Sequence, residues 1–172
     1  MARIARHDNI VNLQGIAEWE DQVLLIMEFC ALGSVESFLK KNANHYIECL
    51  KNRDYDFFLS CCSQVVDGMI FLVDKGIMHR DLAARNILIT SDMVVKIADF
   101  GLSYRTYLTP GHGGMKTPKS ELVPVPYSAY EVLIGQGAVL QYSDIWSFAV
   151  FVWELFQVGR QMPYYNVTGG KF

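Results

Sequence analysis

The 172-residue chain is 51% hydrophobic and 19% charged, a balance that excludes a disordered polypeptide and suffices for one domain with its own core. A net charge of −3 without any long run of like charge gives no basic field, so neither nucleic acid nor anionic lipid is an expected partner. Cys30, Cys49, Cys61 and Cys62 show no Cys-x-x-Cys spacing and read as reduced core thiols. Met1 to Asp8 has no apolar run behind it, so no signal peptide is expected. Ile145 to Phe156, the most hydrophobic stretch, is interrupted by Glu154 and falls short of the ~20 residues a membrane span needs, so no direct membrane contact is expected.

In chain order, His7 to Leu13 followed by Gly15 reads as a turn entering a strand, and Val23 to Phe29 as a continuously apolar strand that pairs with it. Gly33-Ser34 supplies a break and an N-cap for a helix over Val35 to Lys41, and a polar connector follows. The clearest helix comes next. Asp56 caps it, Phe58, Cys62, Val65, Met69 and Leu72 form a core stripe four and three apart, and Gly76 ends it.

Ile77-Met78 leads into His79-Arg80-Asp81-Leu82-Ala83-Ala84-Arg85-Asn86, a short stretch dense in polar side chains. Ile87 to Thr90, the turn Ser91-Asp92-Met93 and Val94 to Ala98 then read as a hairpin. Its open ends should bring Asn86 and Asp99 side by side. An amide carbonyl and a carboxylate, completed by waters and phosphate oxygens, suit Mg²⁺, which keeps much of its hydration. Either residue alone reads as an ordinary turn residue; both at this spacing favour the ligand reading. After Gly101 all periodicity is lost until about Leu122, as in a long mobile loop. Ser143-Asp144 then caps a helix whose Ile145, Phe148, Ala149, Val152, Trp153 and Phe156 make it apolar nearly all round, hence buried, ending near Gly159.

The order H-R-D-x-x-x-x-N over His79 to Asn86, followed by Asp99-Phe100-Gly101, resembles the catalytic domain of a protein kinase. Where serine/threonine kinases carry a Lys two residues after the catalytic Asp, this chain has Ala83, with the cation at Arg85. Ala-Ala-Arg is the tyrosine-kinase form, so the chain resembles the hinge and most of the large lobe of a protein tyrosine kinase. The resemblance implies an α+β, kinase-like fold: a mainly helical C-terminal lobe with short β-hairpins and a small lobe largely missing. Residues 1–30 would be a remnant of small-lobe strands and hinge, and residues 31–172 the large lobe.

It further implies ATP and Mg²⁺ as cofactors and tyrosine-containing proteins as substrates. Asp81 would accept the substrate hydroxyl proton, Arg85 support the transfer, and Asn86 and Asp99 hold Mg²⁺. Met27 would guard the back of the nucleotide pocket, with Glu28, Phe29 and Cys30 as hinge and Glu28, Cys30 and Leu88 against the nucleotide. From the residues alone a buried strand end is an equally good reading of that segment. The segment after Asp-Phe-Gly matches the activation loop, in which phosphate on Tyr104 or Tyr107 would pair with Arg80; ordinary exposed aromatics are the even alternative.

Val123 to Glu131 stands where tyrosine kinases have Pro-Val-Lys/Arg-Trp-Met-Ala-Pro-Glu, the shelf for the residue after the substrate tyrosine. Pro124-Val125, Ala129 and Glu131 fit; Pro126, Tyr127, Ser128 and Tyr130 depart. Asp144 to Ala149 resembles Asp-Val-Trp-Ser-Phe-Gly, whose Asp braces the catalytic loop, a role compatible with capping. Asn166-Val167-Thr168 is a chance glycosylation match. Within the chain no Gly-x-Gly-x-x-Gly precedes the catalytic loop, no strand carries a phosphate-binding Lys, and a partner for Glu131 is expected past Phe172. Two functions follow. The parent is an ATP-dependent tyrosine kinase, cytoplasmic or the cytoplasmic part of a membrane receptor, and the isolated chain is inactive; or the chain is a non-catalytic, kinase-like interaction module.

Overall fold

The computed structural model describes residues 6–105, 124–134 and 142–165. Strands β1 (Leu13–Trp19) and β2 (Gln22–Met27) pair antiparallel, Ile16 opposite Leu25, around a turn in which Glu20 takes a φ of 52°. The predicted pairing is present. Burial does not accompany it, for all six residues of β2 are exposed. The apolar run from Val23 to Met27 therefore belongs to a ribbon that stands off the core.

Gly33, at a φ of 74°, turns the chain into β3 (Gly33–Ser34), and the Ser34 hydroxyl accepts the Ser37 N–H at 3.2 Å. That cap starts α1 (Val35–Lys41), as expected, with Val35 and Leu39 facing inward. The predicted polar connector is instead a helix, α2 (Ala43–Lys51). Tyr46 is its one buried residue, packed among Phe38, Phe57 and Phe58 with ring centroids 4.5–5.8 Å apart. Ala43, Ile47 and Leu50 pack partly buried beside it, so with Tyr46 they form a helical stripe at i, i+3, i+4 and i+7 that a reading as polar connector passes over.

Helix α3 (Asp56–Asp74) runs through the core, contacting the strand Val95–Ile97. Its buried face is Phe58, Cys61, Val65, Gly68 and Leu72, so Cys61 and Gly68 replace the expected Cys62 and Met69, which are only partly buried. Gly68 explains the rotation. A Cβ there would come within 2.9 Å of the Asn9 carbonyl oxygen, so glycine lets the segment before β1 lie against the helix. The helix follows Tyr55 rather than starting on an Asp56 cap, and Gly76 at a φ of 65° terminates it. By length and composition α3 is apolar enough to cross a membrane, but its inner face lies in the protein core.

Next come β4 (Ile77–Met78), a 3₁₀ turn over Ala84–Asn86, and the hairpin of β5 (Ile87–Ile89) and β6 (Val95–Ile97), with Ile87 opposite Ile97. The sheet order is β3-β5-β6. Strand β7 (Tyr104–Arg105) pairs with β4, so Tyr104, expected in a structureless loop, sits opposite Met78 against Ala129 and Val132. Tyr107 and the rest of that loop lie outside the described residues, as does Asn166-Val167-Thr168.

A 3₁₀ turn over Val125–Tyr127 precedes α4 (Tyr130–Leu133), and α5 (Ser143–Gln157) closes the core with Phe151 and Leu155 fully buried. Each such aromatic or aliphatic side chain contributes roughly 1.5–3 kcal/mol by leaving water. The helix is not buried all round: Ile145, Trp146 and Trp153 are exposed, and Trp146 and Trp153 line a groove of about 430 Å³ with Pro163 and Tyr164.

Candidate active site

The loop His79 to Asn86 contains little regular structure, so its shape depends on outside partners for its backbone N–H groups. Asp144, in the first turn of α5, is the principal one. Its Oδ2 accepts the His79 N–H at 2.7 Å and its Oδ1 the Arg80 N–H at 2.8 Å. The carboxylate thus braces the loop and does not cap its own helix, where no side-chain cap bond forms. Burial pushes the Asp144 carboxyl above its ordinary pKa, and the two N–H groups pull against that rise. Gripping consecutive amides also holds Arg80 in the left-handed region, at a φ of 70°.

His79 ties the loop to the strand before Asp99. Its Nδ1 accepts the Asp81 N–H at 3.2 Å and its Nε2 lies 2.9 Å from the Ala98 carbonyl oxygen, the pattern of an imidazole with its proton on Nε2. The ring is fully buried, edge-on to Phe100 at 5.0 Å.

Asp81 and Asn86 come together directly. The Asn86 amide donates from Nδ2 to the Asp81 carbonyl and to its Oδ2, both at 2.8 Å, while the Arg85 guanidinium pairs with Oδ1. With its nitrogen so committed, the group Asn86 has left to offer a cation is its Oδ1. In the hairpin Ala98, not Asp99, stands opposite Asn86, its N–H donating to the Asn86 carbonyl at 2.9 Å. Asp99 follows at a φ of 60° with its side chain exposed, and its Oδ1 accepts the Gly101 N–H at 3.2 Å. Two hard oxygen donors at the mouth of one hairpin fit the chemistry of Mg²⁺. Among the described residues no group of three or more His, Cys, Asp or Glu side chains is placed to hold a metal ion.

At the other candidate face, Glu28 divides its functions. Its carboxylate accepts the Asn12 N–H at 2.7 Å and pairs with Lys96 Nζ at 3.0 Å. Burial raises its pKa, but the Asn12 N–H and Lys96 outweigh that and leave the group below the ordinary value. Beside it Phe29 is 87% exposed and Cys30 buried, so the segment is not a buried strand end. Cys30 clusters with Val11 and Ala98, and Leu88 packs on them. Of the regulatory candidates, Arg80 follows β4 and Tyr104 pairs opposite Met78 on it, and Tyr107 lies outside the described residues.

One connection escaped the sequence reading. Glu154 of α5 accepts the Ala84 N–H at 2.9 Å on one carboxylate oxygen and the Tyr127 hydroxyl at 2.7 Å on the other. The Tyr127 ring lies under the Arg85 guanidinium, 4.5 Å from carbon to centroid. Burial raises the pKa of Glu154, and burial followed by the nearby Glu154 charge raises that of Tyr127. No motif joins residues 27 and 70 positions apart, so only the folded chain discloses the contact.

The protein tyrosine and serine/threonine kinase family matches the sequence over residues 1–172. The chain belongs to that family. Among curated proteins it is similar to fibroblast growth factor receptor 1 of Xenopus laevis, 36% identical over 175 residues that cover 97% of this chain and 21% of that protein. The same receptor from Pleurodeles waltl gives the same identity and coverage. Ephrin type-A receptor 5 of Gallus gallus is 33% identical over 162 residues, 94% of this chain and 15% of that protein. The chain therefore spans about a fifth or less of the length of these relatives.

For a member of the kinase family, the mixed helices and small sheets are the expected architecture. The departures at Tyr127 and Ser128 do not leave that segment loose. Ser147 Oγ donates to the Tyr127 carbonyl at 2.7 Å and Ser128 Oγ to the Pro124 carbonyl at 3.0 Å. Ser143 Oγ lies 3.5 Å from a Glu131 oxygen, a weak contact.

Proposed function

We propose that the parent protein transfers the γ-phosphoryl group of ATP to tyrosine hydroxyls of proteins, with residues 1–30 contributing the hinge and adjoining small-lobe strands and residues 31–172 the large lobe. The observation that carries this reading is the Asp81 carboxylate, held by Arg85 on one oxygen and by Asn86 on the other. So oriented, it retains lone pairs to accept the proton of an incoming phenol. Arg85 keeps a positive charge beside the reacting hydroxyl, where phosphoryl transfer depends on positioning and electrostatics.

Asn86 Oδ1 and an Asp99 carboxylate oxygen would hold Mg²⁺, which when bound neutralises phosphate charge. The Glu28 carbonyl and Cys30 N–H would meet the adenine edge, with Leu88 beneath it. The packing of Leu88 on the Cys30 cluster and the commitment of the Glu28 carboxylate to Asn12 and Lys96 support this assignment. Phosphate on Tyr107 would bring a dianion toward Arg80; Tyr104, the other candidate, is packed against Met78. We place the domain in the cytoplasm, by itself or as the inner part of a receptor.

The test compares this chain with a polypeptide that also carries the upstream lobe, measuring Mg²⁺-ATP-dependent phosphorylation of a tyrosine peptide. The longer form turns over and the 172 residues alone do not, because none of them supplies the phosphate-binding lysine. Asp81→Asn in the longer form lowers kcat by about 10²–10⁴-fold, the usual worth of a positioned general base. Unchanged turnover in Asp81→Asn overturns the assignment, and absence of turnover in the longer wild type replaces it with a kinase-like interaction module.

A further inference from the structure

We infer that Tyr127 is a positioning residue for phosphoryl transfer, acting through Arg85: its ring fixes the guanidinium beside Asp81, and its hydroxyl ties the substrate shelf to the loop that carries both. The inference rests on the tyrosine-kinase reading of the site and adds a residue to it.

The contacts close a ring. From Ala84, the N–H reaches Glu154; Glu154 receives the Tyr127 hydroxyl; the Tyr127 ring faces the Arg85 guanidinium; and Arg85 is the next residue in the chain after Ala84. Arg85 is 39% exposed at its side chain, so without a partner on its open side it would sample many rotamers. A guanidinium 4.5 Å above a ring centroid is held by the ring quadrupole while its N–H edge stays free. That edge meets Asp81 Oδ1. Tyr127 is itself immobilised from two sides, by Glu154 at the hydroxyl and by Ser147 at the carbonyl.

The position is one at which the chain departs from the Trp of the tyrosine-kinase pattern. Tyrosine retains the aromatic face and adds a terminal hydroxyl that donates to the half-buried Glu154. The shelf cannot then shift without moving Arg85. A change in how the substrate backbone sits on the shelf is consequently felt at the proton-accepting carboxylate.

The experiment uses the polypeptide with its upstream lobe and compares Tyr127→Leu, Tyr127→Phe and Tyr127→Trp. Tyr127→Leu lowers kcat about tenfold with KM for ATP unchanged, consistent with the strength of one partly shielded cation–π contact. Tyr127→Phe, which keeps the ring, loses roughly threefold, on the scale of a single neutral hydrogen bond, and Tyr127→Trp retains most activity. A second readout does not depend on turnover. In the NMR spectrum the Arg85 Nε–H is ring-current shifted in the wild type and in Tyr127→Phe, and returns to its ordinary position in Tyr127→Leu.

If wild type is active and Tyr127→Leu matches it in kcat, or lowers kcat while the Arg85 resonance is unmoved, the inference is wrong and the tyrosine-kinase reading survives. If wild type shows no turnover, the kinase reading fails and the positioning role fails with it, whatever the Arg85 signal shows.

Discussion

Replacing Asp144 by Asn tests the claim that one carboxylate shapes the catalytic loop. The two oxygens accept N–H groups from His79 and Arg80 at 2.7 and 2.8 Å in a site only 9% exposed. Asparagine has a single acceptor oxygen and directs its NH₂ at the second N–H. One charge-assisted bond is lost, about 1.5–3 kcal/mol, and a buried donor is left unpaired, about 1–3 kcal/mol more. Against this stands the relief of a buried charge, which the raised pKa of Asp144 records. The expected net loss is about 2–3 kcal/mol.

Urea unfolding followed by tryptophan fluorescence reads this directly. With m near 2 kcal/mol/M, the midpoint falls by about 1–1.5 M at unchanged m. Asp144→Ala, which orphans both amides, falls further. A midpoint shift below ~0.3 M for Asp144→Asn would refute the reasoning, since it would mean that water or another group satisfies these amides equally well.

Other consequences are simpler to state. Gly68→Ala, which in an open helix gains up to ~1 kcal/mol, destabilises here by about 1–3 kcal/mol, because its methyl meets the Asn9 carbonyl and Ile97 at 2.9 Å; a raised melting temperature would contradict the close approach. Tyr46→Ala releases α2: hydrogen exchange over residues 43–51 accelerates, with a loss of about 3–4 kcal/mol typical of a deleted core aromatic. Glu154 has a raised pKa in the fold, so its stabilising contribution is complete below the ordinary value of 4.5 and is lost as pH rises through the folded value. The stability of wild type minus that of Glu154→Gln, from urea midpoints, therefore decreases from pH 4 toward pH 7, and an increase would show the sign to be wrong.

What the sequence exposes here depends on how local the cause is. Ser34 and its helix, the β5-β6 hairpin and the His79 to Asn86 loop are legible because each is specified by residues within a few positions of one another. Helix α2 escapes because its stripe of Ala43, Tyr46, Ile47 and Leu50 is short, mostly half-buried and set among polar residues. The stripe of α3 is misjudged by one residue because Gly68, invisible to hydrophobic periodicity, admits the Asn9 backbone. The apolar β2 run misleads in the opposite direction, since hydrophobicity reports a preference for burial and not its presence. At the site, the hairpin that sets Asn86 opposite Ala98, one residue from the expected Asp99, is local. The direct contact of Asp81 with Asn86 comes from the fold of the loop, and Tyr127, Glu154 and Ala84 meet only after α5 packs beneath it.

That helix accounts for how an irregular loop keeps a defined shape. Asp144 and Glu154 are ten residues apart on α5, ~15 Å along a rigid helix, and they receive N–H groups from opposite ends of the loop: His79 and Arg80 at one, Ala84 at the other. Anchoring to the helix is therefore done through the backbone, with the buried His79 ring tying the loop to the hairpin. The side chains of Asp81 and Arg85, between and just beyond the anchors, are left to face one another, while the Asn86 amide holds both the Asp81 carboxylate and its backbone carbonyl. A loop held by its own side chains would have to break those contacts to admit substrate. One held by its amides does not, which is why two carboxylates on a neighbouring helix make the better scaffold for a site whose side chains must remain available to react.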